Sequence, residues 1–389
     1  MHTHHILRIT LLLLLCSATA AWAQDKTNMF NPVSTSVTSL SIAPDARAGG
    51  MGDMGVATEA DIYSQYWNPA KYPFCVARAG VGVSYTPWLR KIVNDINLAN
   101  LSGFYRIGDY SAVHASLRYF SLGEVFVDGE DLTIKPYEMA FDAGYSRMLS
   151  ETFSMAVNLR FILSDIQYNY ADESSPGKAF AADIALYRLG YFMAGSRECS
   201  FAWGLNISNI GSKITYGGSS HSEFIPTNMR LGCNLTVPVD EYNKFSFGVE
   251  ANKLLVPTYP RDEEGNPYPE SSEEAESEYY DISSISGIFK SFGDAPGGFS
   301  EELEEIQWSF GAEYTYNDRF SLRAGYHHEA ENKGNRKYFT VGAGFHMSVF
   351  TVDASYVFST ASTNPLDQTM RFSLGFDLDG MRELFGRRR

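Results

Sequence analysis

From residue 76 onward, apolar and polar side chains alternate along the chain in stretches of about ten residues. In one stretch Phe153, Met155 and Val157 alternate with Ser154 and Ala156. Successive side chains of a β-strand point to opposite faces, so each stretch predicts a strand with one apolar and one polar or small face. Fourteen segments follow this pattern, near 76–86, 96–106, 110–121, 135–148, 152–170, 178–194, 198–210, 224–238, 243–256, 304–317, 319–329, 335–347, 350–360 and 368–378.

Charged residues within these predicted strands decide which kind of β protein is expected. Arg160, Glu313 and Arg371 fall in the middle of strands, where the buried face of a soluble sandwich would make an unpaired charge costly. A polar lumen would solvate them. Bacterial outer-membrane barrels have an even number of strands. The sequence therefore predicts an all-β fold, a fourteen-stranded antiparallel transmembrane β-barrel over residues 76–378.

The lengths of the connections support this prediction, because short and long links alternate along the chain. Outer-membrane barrels have short periplasmic turns and longer outer loops. A soluble multi-strand β protein is the alternative, but it has no reason to alternate its loops in this way. We therefore expect periplasmic termini, including a tail over 379–389, and seven extracellular loops. The long links lie near 87–95, 121–134, 171–177, 211–223, 257–303, 330–334 and 361–367.

The N-terminus predicts export from the cytoplasm. Residues 1–23 combine Arg8, a short apolar run and an A-x-A site at 21–23, which is typical of a cleaved signal peptide. Cys16 offers a lipoprotein alternative, although the leucines before it are not the small residues that a lipoprotein signal requires. No later run of about 18 apolar residues predicts a membrane helix. The expected location is the outer membrane.

Residues 24–75 lack the strand pattern, so we predict a plug, or hatch, folded into the lumen. Gly50, Gly52 and Gly55 spell the G-x-G-x-x-G pattern of nucleotide sites. No strand precedes them and no βαβ unit surrounds them, so we interpret them as tight turns within the plug. The residues assigned to the plug are Asp45, Arg47, Gly50, Gly52, Asn68 and Pro69.

The distribution of charge argues against a nucleic-acid partner and distinguishes the loop 257–303 from the other loops. The 389 residues include 46 acidic and 31 basic side chains, and a net charge of −15 argues against nucleic acid. The loop 257–303 holds twelve acidic residues against Arg261 and Lys290, a net of −10. Within it, residues 282–292 place apolar side chains at helical spacing, which predicts a short amphipathic helix. The loop is either a solvated surface segment or a lid or docking element.

Motifs for catalysis or metal binding are missing from the sequence. It contains no G-x-S-x-G or H-E-x-x-H pattern. His327 and His328 are adjacent on a predicted strand and would face opposite sides, which disfavours a shared metal. Cys75, Cys199 and Cys233 suggest neither disulfides nor a zinc site. We expect neither an enzyme nor a cofactor.

Six short runs carry a resemblance to a known family. They are IAPDAR at 42–47, GMG at 50–52, NPA at 68–70, SYTPWL at 84–89, DINLA at 95–99 and LRYFSLG at 117–123. Together they resemble the PorV (LptO) family of type IX secretion, and the likeness extends along the whole mature chain. The NPA run alone is shared with the wider FadL-like barrels, so it is the PWL and DIN runs that make the resemblance specific to the PorV family.

The resemblance implies a FadL-like barrel with a definite role. Such a protein binds the C-terminal domain of exported cargo at the translocon SprA (Sov) and delivers the cargo to an attachment complex that contains PorU. Its partners would be these proteins and outer-membrane lipid. A shuttle of this kind needs apolar side chains on its outer loops. The candidate cargo or partner contacts are Tyr85, Pro87, Trp88, Leu89, Phe289 and Phe292.

Three alternatives follow from the same residues. Tyr85 and Trp88 also fall where the outer aromatic girdle of a barrel is expected, so they are equally interpretable as lipid contacts. A FadL-like transporter of hydrophobic small molecules would need an apolar lumen pocket and a passage beside the plug. An outer-membrane lipid-modifying enzyme would need a nucleophile and a base within hydrogen-bond reach.

Overall fold

The computed structural model describes residues 30–127, 132–166, 175–217, 221–259, 278–347, 349–360 and 366–380. The predicted signal peptide and most of the predicted tail lie outside these residues, as does the middle of the predicted acidic loop. None of the helices within the described ranges combines the length and the apolarity needed to cross a membrane.

Fourteen antiparallel strands form one closed barrel, as the alternation predicts. Each strand pairs with its neighbour in the chain, and the first strand closes the ring by pairing with the last. A separate two-stranded hairpin, β4–β5, lies in the connection after β3 and was not predicted. The strands are β1 Ala79–Pro87, β2 Asn97–Ile107, β3 Ser111–Ser121, β4 Val125–Val127, β5 Leu132–Ile134, β6 Tyr137–Ser150, β7 Phe153–Asp165, β8 Gly177–Ala194, β9 Arg197–Gly211, β10 Asn228–Pro238, β11 Asn243–Leu254, β12 Gln307–Tyr316, β13 Phe320–His328, β14 Tyr338–His346, β15 Phe350–Ser359 and β16 Met370–Asp377.

Short and long connections alternate around the ring, which gives the barrel two distinct ends. The short-turn end carries six tight links and both ends of the barrel sequence, Ala79 and Asp377. The long-loop end carries seven longer links, of which the one between β11 and β12 is the longest. The predicted alternation of connection lengths is therefore confirmed, and the placement of each end in periplasm or outside the cell stays a prediction.

The two faces of each strand differ in chemistry. On β3, Ala112, His114 and Ser116 are buried on the inner face, while Val113 and Leu117 are exposed on the outer face. The same rule holds around the ring, so the outer wall is a continuous apolar surface of the kind that faces lipid.

Residues 30–78, called here the N-terminal segment, pack against the inward-facing residues of the strands. The segment is built from very short helical pieces joined by turns, because its partners are points on the barrel wall and not a neighbouring layer. Its pieces are the 3₁₀ turn Thr38–Ser41, the helical turns Ala46–Gly49 and Ser64–Trp67, and the 3₁₀ helix Pro69–Phe74.

A row of glycines on the inner wall lets the N-terminal segment approach the strands at backbone distance. A Cβ atom at Gly311 would lie 2.7 Å from the Met51 carbonyl oxygen, and one at Gly325 would collide with the Gly52 nitrogen. Gly52 has a φ of 74°, a conformation that favours glycine. The row runs over six consecutive strands, with Gly204, Gly232, Gly248, Gly311, Gly325 and Gly342.

The connection between β11 and β12, called here the long loop, contains two helices within its described part. Ser284–Lys290 confirms the predicted short helix, and Phe299–Glu304 precedes β12. The segment predicted to begin a strand at 304 therefore begins it at Gln307, because the helix occupies the preceding residues.

We expect Gly325→Ala to destabilise the folded barrel by about 1–3 kcal/mol, because the new methyl group overlaps the Gly52 backbone. Gly103→Ala is the matched control, since a Cβ atom there meets its neighbours at ordinary contact distances of 3.4 and 3.6 Å. Urea unfolding of the two variants in liposomes measures the difference. Equal stability of both variants would contradict the backbone contact.

Candidate functional site

The mid-strand charges Arg160, Glu313 and Arg371 are paired inside the barrel, which corrects the expectation that a polar lumen would solvate them. Arg371 on β16 is only 2% exposed and lies 2.9 Å from a carboxylate oxygen of Asp53 in the N-terminal segment. The Tyr338 hydroxyl donates to the same carboxylate at 2.6 Å. A buried charge is tolerated when it is paired and hydrogen-bonded, so these contacts replace water.

A second ion-pair network crosses from the N-terminal segment to three strands. Arg47 donates to Asp61 of its own segment at 2.8 Å and contacts Glu313 on β12 at 3.2 Å. Arg323 on β13 donates to Glu313 at 2.5 Å and to Asp353 on β15 at 2.6 Å. Two arginines and three carboxylates thus form one network on the side of the lumen nearer the short-turn end.

A third network lies within the wall itself. Arg160 on β7 contacts Asp142 on β6 at 2.5 Å and Asp183 on β8 at 3.0 Å. Asn158 donates to Asp183 at 3.0 Å and accepts a hydrogen bond from Gln65 of the N-terminal segment at 2.9 Å. The mid-strand charges noted in the sequence, those of Arg160, Glu313 and Arg371, therefore belong to structural ion pairs.

Aromatic and carboxylate groups hold the centre of the N-terminal segment. Two guanidinium groups, those of Arg118 and Arg230, each lie 4.6 Å from the centroid of the Tyr66 ring. Glu250 on β11 accepts hydrogen bonds from the backbone N–H groups of Gly55 and Val56, both at 2.8 Å. Cation–π contacts of this kind gain strength where water is excluded.

The residues assigned to the plug are brought together and act as local connectors. Asp45 accepts from the Ala48 N–H at 2.9 Å, which caps a helical turn, and from the Trp67 indole at 2.6 Å. Asn68 caps the 3₁₀ helix that begins at Pro69, and its amide donates to carbonyl oxygens of Val56 and of Leu186 on β8.

The glycines of the G-x-G-x-x-G pattern lie at points where the N-terminal segment is closely packed. Gly50 lies 3.0 Å from the position of a Cβ atom at Gly342, and Gly52 adopts its positive φ beside Gly325. A Cβ atom at Gly55 would collide with the Trp67 ring. These residues serve close packing, in agreement with their interpretation as turns.

The N-terminal segment separates two cavities that share no lining residue. The cavity toward the short-turn end has a volume of about 500 Å³ and is lined by the Arg47–Glu313–Arg323 network and by Tyr63. The cavity toward the long-loop end has a volume of about 700 Å³. Its apolar wall is formed by Ile42, Trp88, Leu89, Ile96, Phe120, Leu122 and Leu366.

The four candidate residues at the first long loop do not share one environment. Tyr85 is exposed on the outer face of β1, and its hydroxyl donates to Asn97 at 2.6 Å, as the girdle interpretation predicts. Pro87 is buried at the end of the strand. Trp88 and Leu89 are half-buried and turn inward to line the larger cavity, so Trp88 does not lie on the lipid-facing wall.

The two candidate contact residues of the long loop, Phe289 and Phe292, are exposed to solvent. Phe289 is 74% exposed on the helix Ser284–Lys290, whose opposite side packs through Gly287 against Pro257 and Phe224. Exposed apolar side chains continue along the described part of the loop. We call these exposed side chains the loop patch, and they are Ile285, Phe289, Phe292, Phe299 and Leu303.

Two buried lysines fix the base of the long loop. Lys253 at the end of β11 pairs with Glu302 at 3.0 Å and also with Glu305. Lys333 pairs with Glu301 at 2.6 Å and with Glu305 at 3.0 Å. Part of the acidic charge of the loop is therefore neutralised within the protein.

Sequence patterns did not identify the wall residues that hold the N-terminal segment. Glu250, Arg323 and Asp353 were missed, although charge on an inward-facing strand position was the available signal. Tyr66 was missed because a tyrosine between two arginines requires three distant parts of the chain to meet. Within the described residues, no three His, Cys, Asp or Glu side chains gather as a metal site requires.

We expect Arg323→Met to lower the free energy of unfolding by about 3–5 kcal/mol, because it leaves Glu313 and Asp353 buried with fewer partners. Lys91→Met is the control, since it breaks an exposed pair with Asp367 and should cost less than about 1 kcal/mol. Urea unfolding in liposomes measures both. A small effect at Arg323 would show that the network does not hold the segment.

The contribution of Asp294 to the anchoring of the long loop should be greatest when its carboxyl is protonated. Burial raises the pKa of Asp294 from 3.8 to about 6, so the folded loop favours the protonated carboxyl. A raised folded pKa contributes stability that is complete below about pH 4 and is lost as the pH rises through 6. We expect wild-type protein to be cleaved in this loop faster than Asp294→Asn at pH 7.5.

The two proteins should be cleaved equally at pH 4, and comparison at each pH cancels the pH dependence of the protease. A constant ratio of the two cleavage rates across this range would contradict the role of Asp294.

The chain is similar at low sequence identity to several solved structures. A FadL homologue of Pseudomonas aeruginosa is 12% identical, with 89% of this chain and 99% of that chain covered and a TM-score of 0.42. The Pseudomonas putida toluene transporter TodX is 10% identical, with 85% and 96% covered and a TM-score of 0.47. The CymD monoaromatic hydrocarbon channel is 12% identical, with 88% and 99% covered and a TM-score of 0.46.

The comparison with curated proteins found no match. The family model described as type IX secretion system protein PorV matches residues 24–261, which include the N-terminal segment and the strands through β11. The match covers more than half of the chain and includes the runs that carry the resemblance. The chain therefore belongs to the PorV family of the type IX secretion system.

Proposed function

We propose that this protein binds the C-terminal domain of exported cargo at the type IX translocon and delivers the cargo to the attachment complex at the cell surface. In this proposal the translocon is SprA (Sov), and the attachment complex contains PorU. The family match supports a role in type IX secretion. The observation that carries the finer role is the loop patch, a group of exposed apolar side chains at the end of a barrel whose lumen is crossed by the N-terminal segment.

The loop patch has the chemistry of a protein contact. Monomeric proteins seldom expose several large apolar side chains together, and such groups gain most when a partner removes them from water. Phe289 and Phe299 belong to the two helices of the described part of the long loop, and Phe292 follows the first of them. They lie beyond the barrel strands, in a connection and not on the wall that faces lipid.

The base of the loop supports the same proposal because it holds the patch in place. Lys253 and Lys333 tie Glu301, Glu302 and Glu305 to the barrel. A surface that is fixed before binding loses less conformational freedom when the partner arrives. The patch is therefore suited to repeated binding and release of folded domains.

We also propose an orientation of the barrel in the membrane and a role of the N-terminal segment in closing its lumen. We place the long-loop end outside the cell and both termini in the periplasm, as the loop lengths of outer-membrane barrels favour. The N-terminal segment acts as a plug, so cargo stays on the outer side and does not pass through this barrel. Trp88 and Leu89, on the wall of the larger cavity, would contact any cargo segment that enters from the outer end.

We expect Phe289→Ser combined with Phe292→Ser to reduce co-purification of cargo with the detergent-extracted barrel at least tenfold, because two exposed apolar contacts are lost. Phe126→Ser is the matched control. Phe126 is 77% exposed at the same end of the barrel but lies in the β4–β5 hairpin, away from the patch. Cargo is quantified by mass spectrometry of its shared C-terminal domain.

Two outcomes would count against the shuttle. Unchanged cargo recovery in the double variant would exclude the loop patch as the binding surface. Normal attachment of cargo at the surface of cells that lack this gene would exclude the role altogether, because a required shuttle cannot be absent without loss of attachment.

A second candidate function is transport of apolar small molecules, which the apolar wall of the larger cavity favours. The N-terminal segment would have to move for a molecule to pass, since its backbone lies against the wall and its charges are paired. Uptake of radiolabelled toluene by cells with and without the gene separates the two functions. Equal uptake would dismiss transport of this class of compound.

A further inference from the structure

At the short-turn end, one hairpin extends beyond the rest of the barrel. β8 continues to Ala194 and β9 begins at Arg197, but the neighbouring strand β7 begins opposite Arg188. On the other side, the pairing of β9 with β10 ends at Ser200. Residues 190–199 therefore lie beyond the strand pairing with both neighbours, and we call them the projecting hairpin.

The tip of the projecting hairpin exposes three consecutive apolar residues. Tyr191, Phe192 and Met193 are 64%, 45% and 63% exposed. Runs of three exposed apolar residues are avoided in soluble surfaces unless they bind something. These residues follow Arg188, a charged residue on the outer face that marks the edge of the apolar band.

Lipid does not account for this exposure, because two of the three side chains are on the wrong face. Tyr191 and Met193 share the face of Ala185 and Tyr187, which are buried inside the barrel. The Phe192 side chain alone among the three is on the outer face. The β8 strand of the hairpin is thus apolar on both faces, at a point where neither a lumen nor a bilayer covers both, while the β9 strand carries Arg197 and Glu198.

The backbone edge of the hairpin is also free. The Leu189 N–H donates to the Thr152 carbonyl at 2.9 Å, which fixes the direction of the donors on this edge. Alternate residues of a strand donate to the same side, so the N–H groups of Tyr191 and Met193 point past the end of β7. Among the described residues, β9 is the only strand that pairs with β8 beyond Arg188, so the opposite edge of this stretch has no strand partner.

This edge lacks the features by which proteins prevent unwanted strand pairing. Residues 189–194 read LGYFMA, with neither the proline nor the lysine that commonly protects an exposed edge. No register shift interrupts the β8–β9 pairing between Ile184 and Ala194, so the edge is straight enough to act as a template. A free, regular and apolar edge is the surface used in strand addition.

We propose that the projecting hairpin binds an extended segment of a separate protein, which adds as a strand along residues 190–194. Backbone hydrogen bonds to Tyr191 and Met193 would set the register. The bound segment would be uncharged, with apolar side chains alternating between the Tyr191–Met193 face and the Phe192 face. This contact is independent of cargo binding at the opposite end, and in the proposed orientation it is made in the periplasm.

The test places a photoreactive phenylalanine analogue at Phe192 of the full-length protein in the cells that produce it. We expect a crosslink to one separate protein, mapped by mass spectrometry to a single extended stretch. Met193→Pro in the same protein should reduce the crosslink at least tenfold, because proline removes one free-edge donor without touching the β8–β9 ladder. Met193→Leu, which keeps the donor and the apolar side chain, should retain it.

Three results would overturn the proposal. They are crosslinks only to lipid, crosslinks only within the same chain, and a crosslink that persists undiminished in Met193→Pro. Heat-dependent gel mobility of each variant confirms that the barrel is folded. Cargo recovery through the loop patch, measured in parallel, separates failure of this contact from failure of the proposed shuttle function.

Discussion

A barrel of fourteen strands encloses more space than its own inward side chains can fill, and that constraint governs the rest of the structure. The space is occupied by the N-terminal segment, whose polar groups must be paired because water is excluded. Asp53 with Arg371, and Arg47 with Glu313, meet that requirement across the boundary between the segment and the wall. Charges on several strands are therefore explained by the segment, and buried apolar residues of the segment also pack against the wall.

The sequence predicted the barrel well because its signal is local. Alternation along a strand, and the length of the turn that follows, are both visible in neighbouring residues. The strand count and the order of short and long connections were confirmed for that reason. The β4–β5 hairpin was missed because three-residue strands are too short to show a period.

The site was predicted less completely because its contacts are distant in the chain. Asp45, Asn68 and Gly52 were assigned to the interior by motif, but their partners on β8, β13 and other strands could not be named. Trp88 shows the limit most clearly. Its position in the chain fits an outer girdle, whereas the fold turns it inward against Ile42 and Leu98. Trp88 lies just after the end of β1, and the alternation along the strand does not predict whether a side chain beyond that end points outward or inward.

The glycine row on β9–β14 has a consequence for the order of assembly. The N-terminal segment precedes every strand in the chain, yet the wall against which its backbone lies is built from the later strands, and Asp53 meets its partner on the last one. A contact with no room for a methyl group leaves no gap through which a folded segment could slide. We therefore expect the ring to close around the segment, so that an early part of the chain reaches its partners only when the later strands are in place.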